Sequence, residues 1–230
     1  MFTHHGLQIA TLFSFVFFFI SCQKDTPSSA EPLIIEEGQP ISDNDGNVYK
    51  TTKIGNQTWM AENLRSTRYS DGTPIENFCY NNDTAYVKQY GRLYRWAAAM
   101  KNAGSSSSNP SRVQGASPVG WHLPSDAEWQ QLIDALGGST VTGGKLKTTD
   151  TLAWMSPNVG ATNESKFSAL AAGFYRVDNV FMDMRARAIF MTATGNSSAV
   201  MVRTLRNSGA EVVSGQFHPL DAGSVRCVKD

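Results

Sequence analysis

Cys22, Cys79 and Cys227 are the only thiols among 230 residues, and His4, His5, His122 and His218 are the only imidazoles. That short inventory bounds the chemistry. A zinc centre needs three or four closely spaced His, Cys or carboxylate ligands, and no such cluster occurs in the sequence. A nucleophilic serine of the Gly-x-Ser-x-Gly kind is missing as well. His122 stands in Gly120-Trp121-His122-Leu123-Pro124, a turn leading into a capped helix, where a structural hydrogen bond competes with general-base work as its role. Asp43-Asn44-Asp45-Gly46-Asn47 spaces its oxygens like the start of a calcium loop, but Ile54 occupies the twelfth position, where an EF-hand needs a bidentate Glu. A tight turn before a strand fits those residues better. The sequence implies no cofactor, although a structural calcium ion remains compatible with it.

Binding groups are better represented than catalytic ones. Tyr80-Asn81-Asn82-Asp83 and Tyr175-Arg176-Val177-Asp178 combine an aromatic ring with amide, carboxylate or guanidinium groups in loop-like stretches. Sugar recognition uses that mixture, an aromatic face against the apolar face of a pyranose and polar groups on its hydroxyls. Tyr80, Asn81, Asn82, Asp83, Tyr175, Arg176 and Asp178 are therefore the candidate ligand-binding residues. Tyrosines that merely anchor half-buried loops would give the same pattern. Twenty basic and twenty acidic side chains leave no basic excess for phosphate contacts, which sets nucleic acid aside as a partner. With 12 Phe, 7 Tyr and 5 Trp the chain is too aromatic to be disordered.

The N-terminus places these groups in a compartment. Leu7 to Ile20 is almost wholly apolar and too short to span a bilayer comfortably, so it reads as a signal-peptide core. Phe19-Ile20-Ser21-Cys22 follows and resembles the lipobox of bacterial lipoproteins. The resemblance implies cleavage before Cys22, a thioether-linked lipid on that residue and attachment to a membrane. Residues 1–21 are then the signal peptide. Residues 22–40, rich in Pro, Ser and Glu, form a tether, and residues 41–230 form one globular domain. In an oxidising compartment Cys79 and Cys227 are the candidate disulfide, which in the chain-entropy account would contribute up to roughly 5 kcal/mol.

Elements that could position the candidate groups are readable in outline. Val48 to Ile54 and Gln57 to Leu64, joined by Gly55-Asn56, predict a β-hairpin. Leu93, Trp96, Ala97 and Met100 recur at helical spacing and predict a helix of about ten residues. Trp129, Leu132, Ile133 and Leu136 predict a second, opened by the capping box Ser125-Asp126-Ala127-Glu128 and closed by Gly137-Gly138. Between them, Lys101 to Pro118 reads as a mobile surface loop. Ala199 to Arg206 and Ala210 to Ser214 predict a second hairpin, and Gly223 to Lys229 a final strand. Strands, then helices, then strands define an α+β order with the two ends of the domain in one sheet.

Several of these segments resemble the Fibrobacter succinogenes major paralogous domain: Asp45-Gly46-Asn47-Val48-Tyr49, Gln57-Thr58-Trp59-Met60-Ala61-Glu62-Asn63-Leu64, Tyr90-Gly91-Arg92-Leu93-Tyr94, Gly120-Trp121-His122-Leu123-Pro124-Ser125, Ala161-Thr162-Asn163-Glu164-Ser165 and Ser224-Val225-Arg226-Cys227-Val228. The match runs from about residue 41 to the C-terminus, and the family is one of exported and lipid-anchored proteins. Leu123 to Trp129 and Val225-Arg226-Cys227 also look like signatures of the formylglycine-generating-enzyme group, whose fold is related to C-type lectins. This wider likeness implies a lectin-like mixed domain with two main helices and antiparallel strands. Ser117 stands where many relatives carry cysteine, Phe190-Met191 where a Trp pair is frequent, and Lys166 where Gly is usual. The first departure puts the disulfide pattern in doubt, and the second implies loss of an exposed aromatic surface. Asp83-Thr84-Ala85 and Asp150-Thr151-Leu152 are similar to the short O-glycosylation signal of Bacteroidetes.

The expectation is an outer-membrane lipoprotein, facing the surface or the periplasm, with a non-catalytic domain that binds a glycan or a surface protein. Two other readings stay open: an enzyme on the formylglycine-enzyme-like fold, and a structural subunit of a surface assembly.

Overall fold

The computed structural model describes residues 1–3 and 32–230. Cys22, the signal core and most of the expected tether lie outside the described residues. The chain divides into Met1–Pro32 and Leu33–Asp230. Of the first unit, Met1 to Thr3 carry no regular structure and are exposed.

The second unit runs, in order, β1 (Ile35–Ser42), β2 (Val48–Ile54), β3 (Gln57–Met60), α1 (Val87–Tyr90), β4 (Tyr94–Arg95), α2 (Trp96–Met100), β5 (Trp121–His122), α3 (Asp126–Ala135) and α4 (Ser139–Leu146). It continues with β6 (Phe174–Tyr175), β7 (Phe181–Met182), β8 (Arg187–Gly195), β9 (Val200–Arg206), β10 (Val213–Phe217), β11 (Ala222–Gly223) and β12 (Val228–Lys229). Strand order is β1-β2-β3-β12-β5 in one sheet, β10-β9-β8 in a second and β4-β11-β6-β7 in a third. Every pairing within these sheets is antiparallel. The domain is α+β, and β12 joins β3, so its two ends share a sheet as the element order implies.

Two apolar cores hold the sheets together. One gathers Trp59, Trp129, Phe167 and Phe190, with Trp59 and Trp129 centred 4.9 Å apart and Phe190 stacked on Trp129 at 5.3 Å. The apolar stripe of α3 supplies its share through Trp129, Leu132 and Ile133, all buried. The capping box forms as expected: the Ser125 hydroxyl accepts from the Glu128 N–H at 3.2 Å, and the Glu128 carboxylate accepts from the Ser125 N–H at 2.9 Å. The other core contains Tyr49, Leu64, Tyr94, Met100, Met191, Val225 and Cys227. Phe190 and Met191 are fully buried, so this position offers no exposed aromatic surface whichever residues occupy it.

Three expectations are corrected and one helix is added. The helix around Leu93–Met100 is only the five residues of α2, because Leu93 exchanges backbone bonds of 2.9 Å with Phe78 and β4 pairs with β11. Sheet pairing there outcompetes a helical stripe that is also compatible with a buried strand end. The sheet begins at Ile35, inside the expected tether: β1 is an edge strand whose residues are largely exposed, and its register shifts between Gly38 and Ile41, around Pro40. A solvated edge needs no apolar periodicity and tolerates proline at an irregularity, which is why it reads as linker. In the 101–118 segment, Ser111, Val113, Ala116 and Ser117 are buried, and Ala116 N–H bonds the Ala99 carbonyl at 2.9 Å, so its second half belongs to the packed interior. Finally, α4 forms from Ser139-Thr140-Val141-Thr142-Gly143-Gly144-Lys145-Leu146, a poor helix former by composition. Its two glycines answer to packing: a Cβ at Gly143 would lie 2.3 Å from the Glu211 carbonyl oxygen, and one at Gly144 2.2 Å from that of Gly160.

Candidate functional site

The two tyrosine segments, nearly a hundred residues apart in sequence, meet at Phe181. Tyr175 and Phe181 face each other across the β6–β7 hairpin with centroids 4.5 Å apart, and Tyr80 lies 5.3 Å from the same ring. Phe78 covers Tyr175 at 4.4 Å, and Tyr86 meets Tyr80 edge-on at 6.1 Å. The result is a ridge of five half-buried rings over Tyr90, Leu93, Ala172 and Ala222. Tyr175 sits between Phe78 and Phe181, tilted by only 32° and 38° from them. Its faces are therefore occupied, and its hydroxyl donates to Asn179 at 2.8 Å. Tyr175 anchors the hairpin, and a ligand would meet the ridge through Tyr80, Phe181 and the exposed rim.

The rim is polar but unevenly available. Asp83 caps the following turn by accepting from the Ala85 N–H at 2.8 Å, and Arg176 pairs with Asp178 at 2.8 Å. Asn81 and Asn82 are exposed, and their side-chain amides make no hydrogen bond among the described residues. Both adopt left-handed backbone angles, φ 53° and 58°, which Asn tolerates better than most residues. Phe78, Tyr86 and Phe181 escaped the sequence reading. Taking Val177-Asp178-Asn179 as a three-residue turn between Phe174-Tyr175 and Phe181-Met182 would have set Tyr175 opposite Phe181.

Interior ionisable groups serve the fold. His122 is buried, with Nε2 2.6 Å from the Glu128 carboxylate and Nδ1 2.7 Å from that of Asp230. Burial alone would lower its pKa, but the two carboxylates more than offset this and raise it above the ordinary histidine value. With both ring nitrogens engaged, no free nitrogen is left for general-base work. Because the folded pKa is raised, the stabilisation by the imidazolium is fully present below the unfolded value near 6.5 and is lost as pH climbs through the folded value. We expect the denaturation midpoint to fall from neutral toward alkaline pH, and His122→Gln to flatten that slope. Equal slopes in the two proteins would show that the network is not charged.

Lys147 is likewise fully buried, its ammonium donating to the carbonyls of Val159, Arg206 and Gly209 at 2.7–2.9 Å. Burial pushes its pKa down to about 8, which leaves it charged at neutral pH. Asp43 accepts from the hydroxyls of Tyr49 and Ser66 at 2.6 and 2.5 Å, and from the N–H groups of Asp45 and Asn47. The calcium-like loop is thus a hydrogen-bonded turn that ties β1 to residues 66–70. Among the described residues no group of three or more His, Cys, Asp or Glu could hold a metal ion.

The expected Cys79–Cys227 bridge is not formed, and both thiols are free. They belong to different surroundings. Cys79 is half-buried below the aromatic ridge and accepts from Arg92 at 3.3 Å, whereas Cys227 is enclosed in the core beside Ser117. Burial pushes the Cys227 thiol up to about 12, against the opposing effect of Ser117. The Ser117 hydroxyl is itself buried and has no hydrogen-bond partner among the described residues. Position 117 therefore faces Cys227. Lys166 has φ 57°, a conformation that glycine adopts without strain.

A cleft of about 680 Å³ lies between the β1–β2 edge and residues 163–168, lined by Lys50, Glu62, Asn163, Lys166 and Ser168 and by no tyrosine. Another, of about 540 Å³, is lined by Glu62, Arg65, Thr84, Val87, Lys88 and Arg92.

Antiparallel sheets around two aromatic-rich cores, with buried charges held by hydrogen bonds and an aromatic ridge at the surface, define an α+β domain. The chain belongs to the Fibrobacter succinogenes major domain family, which it matches over residues 52–229. No curated protein and no solved structure gives a match.

Proposed function

We propose that the protein is a cell-envelope lipoprotein whose domain binds a glycan or a surface protein without catalysing a reaction. The observation that carries this reading is the convergence of two polar-aromatic loops on Phe181, which leaves a ridge of five rings rimmed by the free amides of Asn81 and Asn82. Exposed apolar patches with a polar rim mark interaction sites, and the exposed Val177, Val180 and Leu220 border this one. The non-catalytic half of the proposal rests on His122, whose nitrogens are both engaged. The lectin-like fold is part of the same reading. Its support is the sheet shared by the domain's two ends and the capped α3 beneath it.

A glycan array and a pull-down with the exported protein test this reading. Asn81→Gly with Asn82→Gly keeps the left-handed backbone while deleting both amides, and it should weaken capture roughly tenfold, the value of one well-placed polar contact. Empty results from both assays on folded protein would remove the proposal. Cys22→Ala tests the anchor: it should move the protein from the membrane to the soluble fraction.

A further inference from the structure

We infer that the ligand is acidic, and that the cleft of about 540 Å³ beside the ridge is the site of its charged group. This deepens the proposed binding function and rests on it. Arg65, Lys88 and Arg92 line the cleft together with Glu62, Asn47 and Thr84. Glu62 is already matched: one oxygen meets Arg65 at 3.2 Å and the other accepts the Lys50 N–H at 2.7 Å. Two cations therefore remain without a counter-charge. Lys88 is exposed and makes no hydrogen bond or ion pair among the described residues. Arg92 is half-buried, and no carboxylate of the described residues lies within 4 Å of it.

Arg92 differs from the fully buried cations Lys147 and Arg226. Lys147 and Arg226 also lack carboxylate partners, but every nitrogen of each donates to a protein acceptor. Arg92 donates through Nε to the Arg65 carbonyl at 3.1 Å and through Nη1 to Asn77 at 2.7 Å and the Cys79 sulfur at 3.3 Å, which leaves Nη2 free. Those contacts fix the guanidinium plane in advance. Arg65 is fixed too, by the Val48 carbonyl at 2.7 Å and by the Tyr49 ring at 4.4 Å. A half-buried, preoriented guanidinium with open donors fits a carboxylate, phosphate or sulfate group, and Lys88 adds an adaptable second charge.

The ridge adjoins the cleft through the Thr84–Tyr86 turn and α1: Thr84, Val87 and Lys88 line the cleft, whereas Tyr86 packs against Tyr80. An acidic oligosaccharide can place its charged group by Arg92 and a neighbouring ring against Tyr80 and Asn81. The net charge of the whole chain conceals this local excess.

Calorimetric titration of the exported protein with hexasaccharides of three kinds tests the inference: oligogalacturonate for carboxylate, heparin-derived for sulfate, and maltohexaose as the neutral control. At least one acidic ligand should bind, more weakly as salt is raised. Lys88→Ala should weaken it roughly tenfold and Arg92→Lys at least as much, with unchanged melting temperatures. Lys88 is exposed, so its variant keeps the test open if Arg92 proves necessary for folding. Acidic binding that ignores both substitutions, or equal binding of maltohexaose, would overturn the charged site while leaving the ridge as a binding surface. If neither acidic ligand binds, the charged site falls, and the glycan array separately decides the fate of the ridge.

Discussion

Arg226→Met is expected to lower the free energy of unfolding by about 3–5 kcal/mol, the cost of removing one side of a buried charged hydrogen-bond network. Arg226 is completely buried, and burial lowers its pKa to about 9, still above neutral pH. Its Nε donates to the Asn63 side chain at 2.8 Å, Nη1 to the Met60 and Phe167 carbonyls, and Nη2 to the Ser168 carbonyl at 2.8 Å. The guanidinium also lies 4.5 Å from the centre of the Phe167 ring. Methionine fills much of the volume but leaves these acceptors unpaired inside the protein, and each orphaned acceptor costs about 1–3 kcal/mol. The distinction matters because replacing both sides of a buried polar pair with apolar groups can be neutral. Here the acceptors are backbone carbonyls that no substitution removes. Urea denaturation at unchanged slope gives the measurement, with Arg226→Lys as the variant that retains charge but loses the fork. A loss below about 1 kcal/mol would mean that the carbonyls find other donors and that the guanidinium is not what holds β3, the 166–168 turn and the C-terminal segment together.

How much of this was legible from residues alone depended on whether the information was local. The capped helix α3 could be read because its start signal, apolar stripe and glycine stop are all contiguous. The β2–β3 hairpin could be read because Gly55-Asn56 separates two strand-like runs. Helix α4 could not, since Gly143 and Gly144 oppose helix formation and are there for backbones that approach from residues 160 and 211. Strand β1 was hidden by its exposure. The same division runs through the candidate site: Tyr80 and Tyr175 drew notice by their polar neighbours, but their meeting at Phe181 depends on sheet pairing. Arg92 drew notice only as part of the Tyr90-Gly91-Arg92-Leu93-Tyr94 motif and not as a binding group. Its significance is an absent partner, and that is a property of three-dimensional surroundings. The charge balance of 20 against 20 averages over a cleft where two cations stand unmatched among the described residues.

Ser117→Cys should form a disulfide with Cys227 and stabilise the protein by several kcal/mol. The closed loop would contain about 110 residues, for which denatured-state entropy alone gives on the order of 4–5 kcal/mol, less whatever strain the bond introduces. For a domain of this size that corresponds to a rise in melting temperature of roughly 10 °C. Two features of the wild-type site favour the bond. Ser117 is a buried hydroxyl without a satisfactory partner, so its loss removes an unpaired polar group. Cys227 already faces it from a fully enclosed position, where its high pKa keeps the free thiol protonated and unreactive once folded. Closure must then occur during oxidative folding, before the core excludes the oxidant. Protein folded under oxidising conditions should show the 117–227 linked peptide by mass spectrometry and gain the full shift. Protein folded reduced and oxidised afterwards should gain little. Cys79 should stay free in both preparations, and a bond from Cys79 to either position would contradict the separation of the two thiol environments.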